Sequence, residues 1–225
     1  MQNRRMLLVV AGLIALVIVV AVGWWLASPL FINRSVDEAF PFEVPNAAAL
    51  ADMPADQRQA LETEFMEAVP SEEEVAALPE ADRATVEEQV MGAAAAVMSD
   101  KMVEDTMPEA ANEWIAVSMG EFMDADSFHQ GSGTAAIFQQ GDQRVLRFEN
   151  FEVTNGPDLH ILLVKHPAPT QPGDVGEDYV DLGQLKGNMG NQNYDIPTDI
   201  DLSEYQSVVI YCKPFHVLFS IATLN

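Results

Sequence analysis

SVVIYCKPFHVLFSIAT, residues 207–223, decides the fold class. It holds two β-favouring runs, 207–212 and 216–223, rich in branched and aromatic side chains. Lys213-Pro214 parts them, and proline has no N–H to give to a ladder, so the pair reads as a turn. The two runs thus read as β-strands separated by that turn. Within the first run, Cys212 shares a face with Val208 and Ile210, and Tyr211 shares the other with Val209.

Upstream the same grammar repeats. Residues 134–138 and 145–151 read as strands joined at Gly141-Asp142, with Leu146 and Phe148 on one face and Arg147 and Glu149 on the other. Asn155-Gly156-Pro157-Asp158 is a turn leading into an apolar strand, 159–165. At least five short strands in under one hundred residues predict an all-β C-terminal module, a β-sandwich or barrel, over residues 125–225. No β-α-β alternation and no glycine-rich phosphate loop argues for a nucleotide fold.

Residues 28–124 read differently, as an acidic helical spacer or small helical subdomain. Positions 36–127 hold 23 acidic and 3 basic residues, so most of the net charge of −24 lies there. Ser71 and Glu74 make a capping box, and Pro54 opens a helix carrying Leu61 and Phe65. Val86, Val90, Ala93 and Val97 form one helical stripe. Trp114, Ile115 and Met119 predict a further short helix after Pro108. The acidic helices read either as a solvated spacer or as a docking surface for a protein partner.

Residues 6–27 are uncharged, and 22 residues of helix span about 33 Å, enough for a hydrocarbon core of about 30 Å. Arg4 and Arg5 precede the run and acidic residues follow it. The positive-inside rule therefore leaves residues 1–5 as a cytoplasmic tail and 6–27 as a transmembrane signal-anchor. The bulk of this single-pass membrane protein would then be periplasmic or extracellular. A cleaved signal peptide is the competing reading, although its apolar stretch would be shorter.

The few scattered basic residues exclude nucleic acid as a partner. Cys212 is the one cysteine, so an internal disulfide, a C-x-x-C pair and a C-x-x-C-H haem attachment are all ruled out.

Three blocks carry a resemblance: Phe148-Glu-Asn-Phe-Glu-Val-Thr-Asn-Gly-Pro-Asp-Leu-His160, Asp181-Leu-Gly-Gln-Leu-Lys-Gly-Asn-Met-Gly-Asn-Gln-Asn-Tyr194, and Ser207 through Phe219. In this order they resemble the DM13 domain family over about residues 125–224. The resemblance implies an extracytoplasmic β-rich module proposed to act in electron transfer. It implies a redox or ligand role for the cysteine, which here is Cys212, and places Asp158 and the 182–194 stretch on other motif positions.

The expected function is thus a membrane-anchored, extracytoplasmic DM13-like protein with an electron-transfer role centred on Cys212. The alternative is a non-catalytic adhesion or accessory module in which Cys212 is core, as free cysteines commonly are. Asp158, His160, Lys186, Asn188, Asn191, Tyr194 and His216 are candidates for a pocket or loop beside it. No H-x-H or H-E-x-x-H spacing marks a metal site, and no G-x-S-x-G elbow marks a hydrolase. The residues name no cofactor and leave enzymatic activity open.

Overall fold

The computed structural model describes Phe42 and residues 44–109 and 113–225. Among the described residues four helices come first: α1 (Ala47–Ala51), α2 (Ala55–Ala68), α3 (Glu72–Ala77) and α4 (Glu80–Val97). Each starts where local chemistry dictates. Asn46 caps α1, accepting from Ala49 N at 2.9 Å. The predicted box opens α3: Ser71 N donates to Glu74 Oε2 at 2.8 Å, and Glu74 N donates to Ser71 Oγ at 3.4 Å. Pro54 and Pro79 precede α2 and α4.

Nine strands follow: β1 (Met102–Glu104), β2 (Ile115–Asp124), β3 (Gly131–Gln140), β4 (Gln143–Val153), β5 (Leu159–Val164), β6 (Val180–Gln184), β7 (Met189–Asp195), β8 (Ser207–Cys212) and β9 (Val217–Thr223). A one-turn helix α5 (Pro172–Val175) lies between β5 and β6. They make one sheet ordered β1-β7-β4-β3-β2-β9-β8-β5-β6. Every neighbouring pair is antiparallel except β1 with β7.

Strand β2 joins the two halves. It pairs with β3 through Ile115–Glu121 and with β9 through Phe122–Asp124. The crossing is tight: a Cβ on Gly120 would stand 2.1 Å from the Thr223 carbonyl oxygen. The sheet curls so that Phe148, Phe151 and Tyr194 of one half and Ile161, Ile210 and Phe219 of the other enter one hydrophobic cluster. Phe122 packs at 4.9 Å centroid separation on both Phe148 and Phe151.

The expected all-β sandwich or barrel with a separate helical spacer is therefore corrected: the architecture is mixed α/β, around a curled nine-stranded half-barrel. The physical reason lies in the helices. Their apolar stripes are too narrow to make a core alone, and Phe65, Val75, Val90, Ala93, Ala94 and Val97 bury themselves in the cluster that the sheet supplies. Helices and strands belong to one compact unit, Phe40–Asn225. The helix predicted at Trp114, Ile115 and Met119 does not form: Trp114 precedes β2, and Ile115 and Met119 lie within it, where pairing with β3 outweighs a four-residue spacing.

The transmembrane anchor, the membrane as partner and the single-pass topology also need correction. Among the described residues no helix is long and apolar enough to cross a membrane. The longest, α4, has 18 residues and carries Glu80, Asp82, Arg83, Glu87 and Glu88. Residues 6–27 lie outside the described residues. The periplasmic or extracellular address and the exported-side protein partner rested in part on that anchor, and no described helix supplies a membrane span for them.

Candidate functional site

The Asn155-Gly156-Pro157-Asp158 turn positions both faces of the sheet at the start of β5. Gly156 is required there, since a Cβ would fall 2.3 Å from Cζ of Phe219. Asp158 takes a left-handed φ of 48°, which aspartate tolerates better than most residues. The inward face receives Cys212, paired in register with Leu159. Its Sγ donates to the Pro157 carbonyl at 3.1 Å, and no part of the residue is exposed.

Burial pushes the Cys212 thiol up to about 12, outweighing a stabilising backbone N–H from Phe215, with Asp158 and Glu87 adding to the rise. A nucleophilic, ligating or readily oxidised cysteine needs its thiolate. Cys212 holds its proton at neutral pH. Burial and the raised thiol weigh against the redox role expected of Cys212, and the side chain packs with Val208 and Ile210, as the alternation of the strand predicted.

The outward face carries a different chemistry. His160 lies across from Tyr211 on β8 and Gln184 on β6. Its Nδ1 is 2.9 Å from both carboxylate oxygens of Asp181, and its Nε2 is 3.3 Å from Asp158 Oδ1. Gln184 Nε2 donates to Asp158 Oδ1 at 2.7 Å, and Gly183 N donates to Asp181 Oδ1 at 2.9 Å. Lys213 Nζ stands 3.5 Å from Asp181 Oδ2 and 2.8 Å from the Tyr179 hydroxyl.

Burial works against the Asp181 carboxylate, but the His160 and Gly183 hydrogen bonds and the Lys213 charge hold it below its ordinary range. Burial likewise works against the Lys213 cation, and Tyr179 and Asp181 reverse that and hold it above. This is a linked set of ionisable groups, with His160 clamped on both ring nitrogens. It is partly open to solvent: the His160 side chain is 18% exposed, Asp158 33%.

The other candidates lie elsewhere. Lys186 Nζ binds Asp105 Oδ2 at 2.6 Å, and Lys186 N donates to the Tyr194 hydroxyl at 3.0 Å. Tyr194 in turn donates to Gln192 Oε1 at 2.6 Å. Asn188 accepts from Lys101 N at 2.6 Å and donates to Asp100 Oδ1 at 2.9 Å. Asn191 donates to Glu104 Oε2 at 2.8 Å. These bonds fasten the 100–106 segment to β7, which is structural work. The predicted loop through Tyr194 is consequently a turn followed by a strand. Asp158, Lys186 and Asn188 do share a cleft of about 190 Å³ with Glu62 and Lys101.

His216 sits at φ 56° in the β8–β9 turn, away from Cys212's face. Its Nδ1 meets the Tyr211 hydroxyl at 3.1 Å, and its Nε2 meets Glu72 Oε1 at 3.4 Å. Asp181, Lys213, Tyr179 and Tyr211 complete these groups without having been singled out as site residues. Asp181 was within a quoted motif block, but only the pairing of β5 with β6 reveals its partner. Among the described residues no group of three His, Cys, Asp or Glu side chains is arranged to hold a metal ion.

Comparison with known proteins returns one family, described as "DM13: Electron transfer DM13", matching residues 121–224. No curated protein and no solved structure matches the chain.

Proposed function

Starting from residues 121–224 as a DM13 electron-transfer domain, we propose that the chain exchanges single electrons through the outer face of β5, β6 and β8 around His160, with Cys212 serving as core. The observation that carries this reading is the clamped His160, with Asp158, Asp181 and Lys213 gathered at a partly open rim. A polar, charged rim steers an electron-exchange partner and fixes its orientation, while the buried thiol on the opposite face meets neither solvent nor partner.

The test is the rate at which the full chain is oxidised by hexachloroiridate(IV), an anionic one-electron oxidant. The net charge of −24 repels it, so its productive approach depends on local cations such as Lys213. Lys213→Gln and His160→Gln are expected to slow the reaction by about tenfold, with native spectra retained. Oxidation of both variants at the wild-type rate would overturn the assignment of this face.

A further inference from the structure

An electron-transfer domain with an inert thiol needs another group that gives up an electron. Four tyrosines are present in the sequence, and all lie among the described residues. Three of them carry a lysine cation above the ring: Lys213 at 4.9 Å from the Tyr179 centroid, Lys186 at 5.2 Å from Tyr194 and Lys165 at 5.9 Å from Tyr205. A cation on the ring face opposes loss of an electron from that ring. The Tyr194 hydroxyl moreover donates to an amide oxygen, which is a poor proton acceptor. Trp114, the tryptophan among the described residues, donates its indole N–H to the Pro108 carbonyl at 3.0 Å, which cannot take the proton either.

Tyr211 differs on each count. Its hydroxyl meets an imidazole nitrogen, Nδ1 of His216, at 3.1 Å, and that ring's other nitrogen faces the Glu72 carboxylate at 3.4 Å. The Glu72 contact favours the tautomer with Nε2 protonated and Nδ1 free to accept. The Tyr211 ring is 4% exposed, within a cluster formed by Leu162, Val164, Val175, Val209, Leu218 and Ile221. Such apolar walls keep water and reductants from a radical. His216 is half exposed and offers the proton a way out. Tyr211 also pairs across the sheet with His160, the centre of the proposed exchange face.

We propose that Tyr211 is the one-electron carrier of this domain, with His216 as its proton acceptor and Glu72 as the group that orients His216. This rests on the electron-transfer reading above. In the oxidising step the Tyr211 ring gives one electron to an outer-sphere one-electron oxidant. The phenolic O–H bond breaks as the proton joins His216 Nδ1, leaving a neutral tyrosyl radical beside an imidazolium. One electron from a reductant reverses the step, and the proton returns to oxygen. The titratable groups around the pair are Glu72, Tyr179, Cys212, His160 and Lys213.

The experiment uses the full chain with photogenerated tris(bipyridine)ruthenium(III), trapping the product by freezing for electron paramagnetic resonance. A neutral tyrosyl signal is expected, lost in Tyr211→Phe and kept in Tyr179→Phe, Tyr194→Phe and Tyr205→Phe. His216→Asn, which tolerates the left-handed turn, is expected to slow radical formation at least about tenfold by removing the positioned base. A wild-type tyrosyl signal in Tyr211→Phe, or an unchanged rate in His216→Asn, overturns the proposal. If the chain consumes one oxidising equivalent but the radical sits elsewhere, Tyr211 falls and the electron-transfer reading stands. If no equivalent is consumed, both fall.

Discussion

Cys212 shows how little a residue's identity says until its surroundings are known. Its place on the aliphatic face of β8 was legible, because alternation along the strand puts it with Val208 and Ile210. Its chemistry was not, since that depends on a turn 55 residues upstream whose Pro157 carbonyl accepts a hydrogen bond from the thiol. The raised thiol pKa makes stability depend on pH in a defined direction. The folded value, about 12, lies above the ordinary 9.0, so folding favours the protonated form. That contribution is complete below about pH 9 and is lost as pH rises toward about 12. Urea unfolding between pH 7 and 11 is therefore expected to show an alkaline loss of stability in the wild type that is smaller in Cys212→Ala. At pH 7 the same variant should lose about 1–2 kcal/mol, from one hydrogen bond and a small cavity. An identical alkaline slope in both proteins would mean that the thiol is not buried as described.

At the scale of elements, several local signals were legible, but the four-residue spacing of Ile115 and Met119 misled, and pairings between distant strands were not legible. The Ser71–Glu74 box, the β3–β4 hairpin and the strands β8 and β9 all rest on residues close in sequence. Strand β7 escaped because its inward positions are Gly190, Gln192 and Tyr194 rather than a row of aliphatics. Gln192 is fully buried and satisfies itself on Gly187 O at 2.7 Å and on the Tyr194 hydroxyl. A polar strand of this kind shows no hydrophobic alternation to find. The helices were legible as helices but not as part of the core, because a stripe of valine and alanine looks the same against water-facing neighbours or against a sheet. Phe65 settles the difference: it is fully buried, with Phe42 edge-on at 5.4 Å. Phe65→Ala is expected to cost about 3–5 kcal/mol and to lower the unfolding midpoint of the β-sheet along with that of the helices. Near-ultraviolet dichroism of the sheet tyrosines gives the readout. Loss of helix signal with the tyrosine transition unmoved would restore the helices as a separate spacer.

Across the whole molecule, the family match covers 121–224, while α1–α4 and β1 lie outside it. The helices nonetheless fill the same core, and one of them supplies Glu72 to His216. Residues 121–224 are thus a DM13 domain, and an acidic helical layer outside the match completes its core. The proposal gives its two faces distinct uses: an inward face holding a protonated thiol, and an outward face gathering His160, Asp181, Lys213 and Tyr211. Electron exchange by the full chain, compared between the wild type and Cys212→Ala under the same one-electron oxidant, separates those faces. The account predicts that Cys212→Ala takes up the same number of oxidising equivalents at the same rate. Loss of electron uptake in folded Cys212→Ala would contradict it.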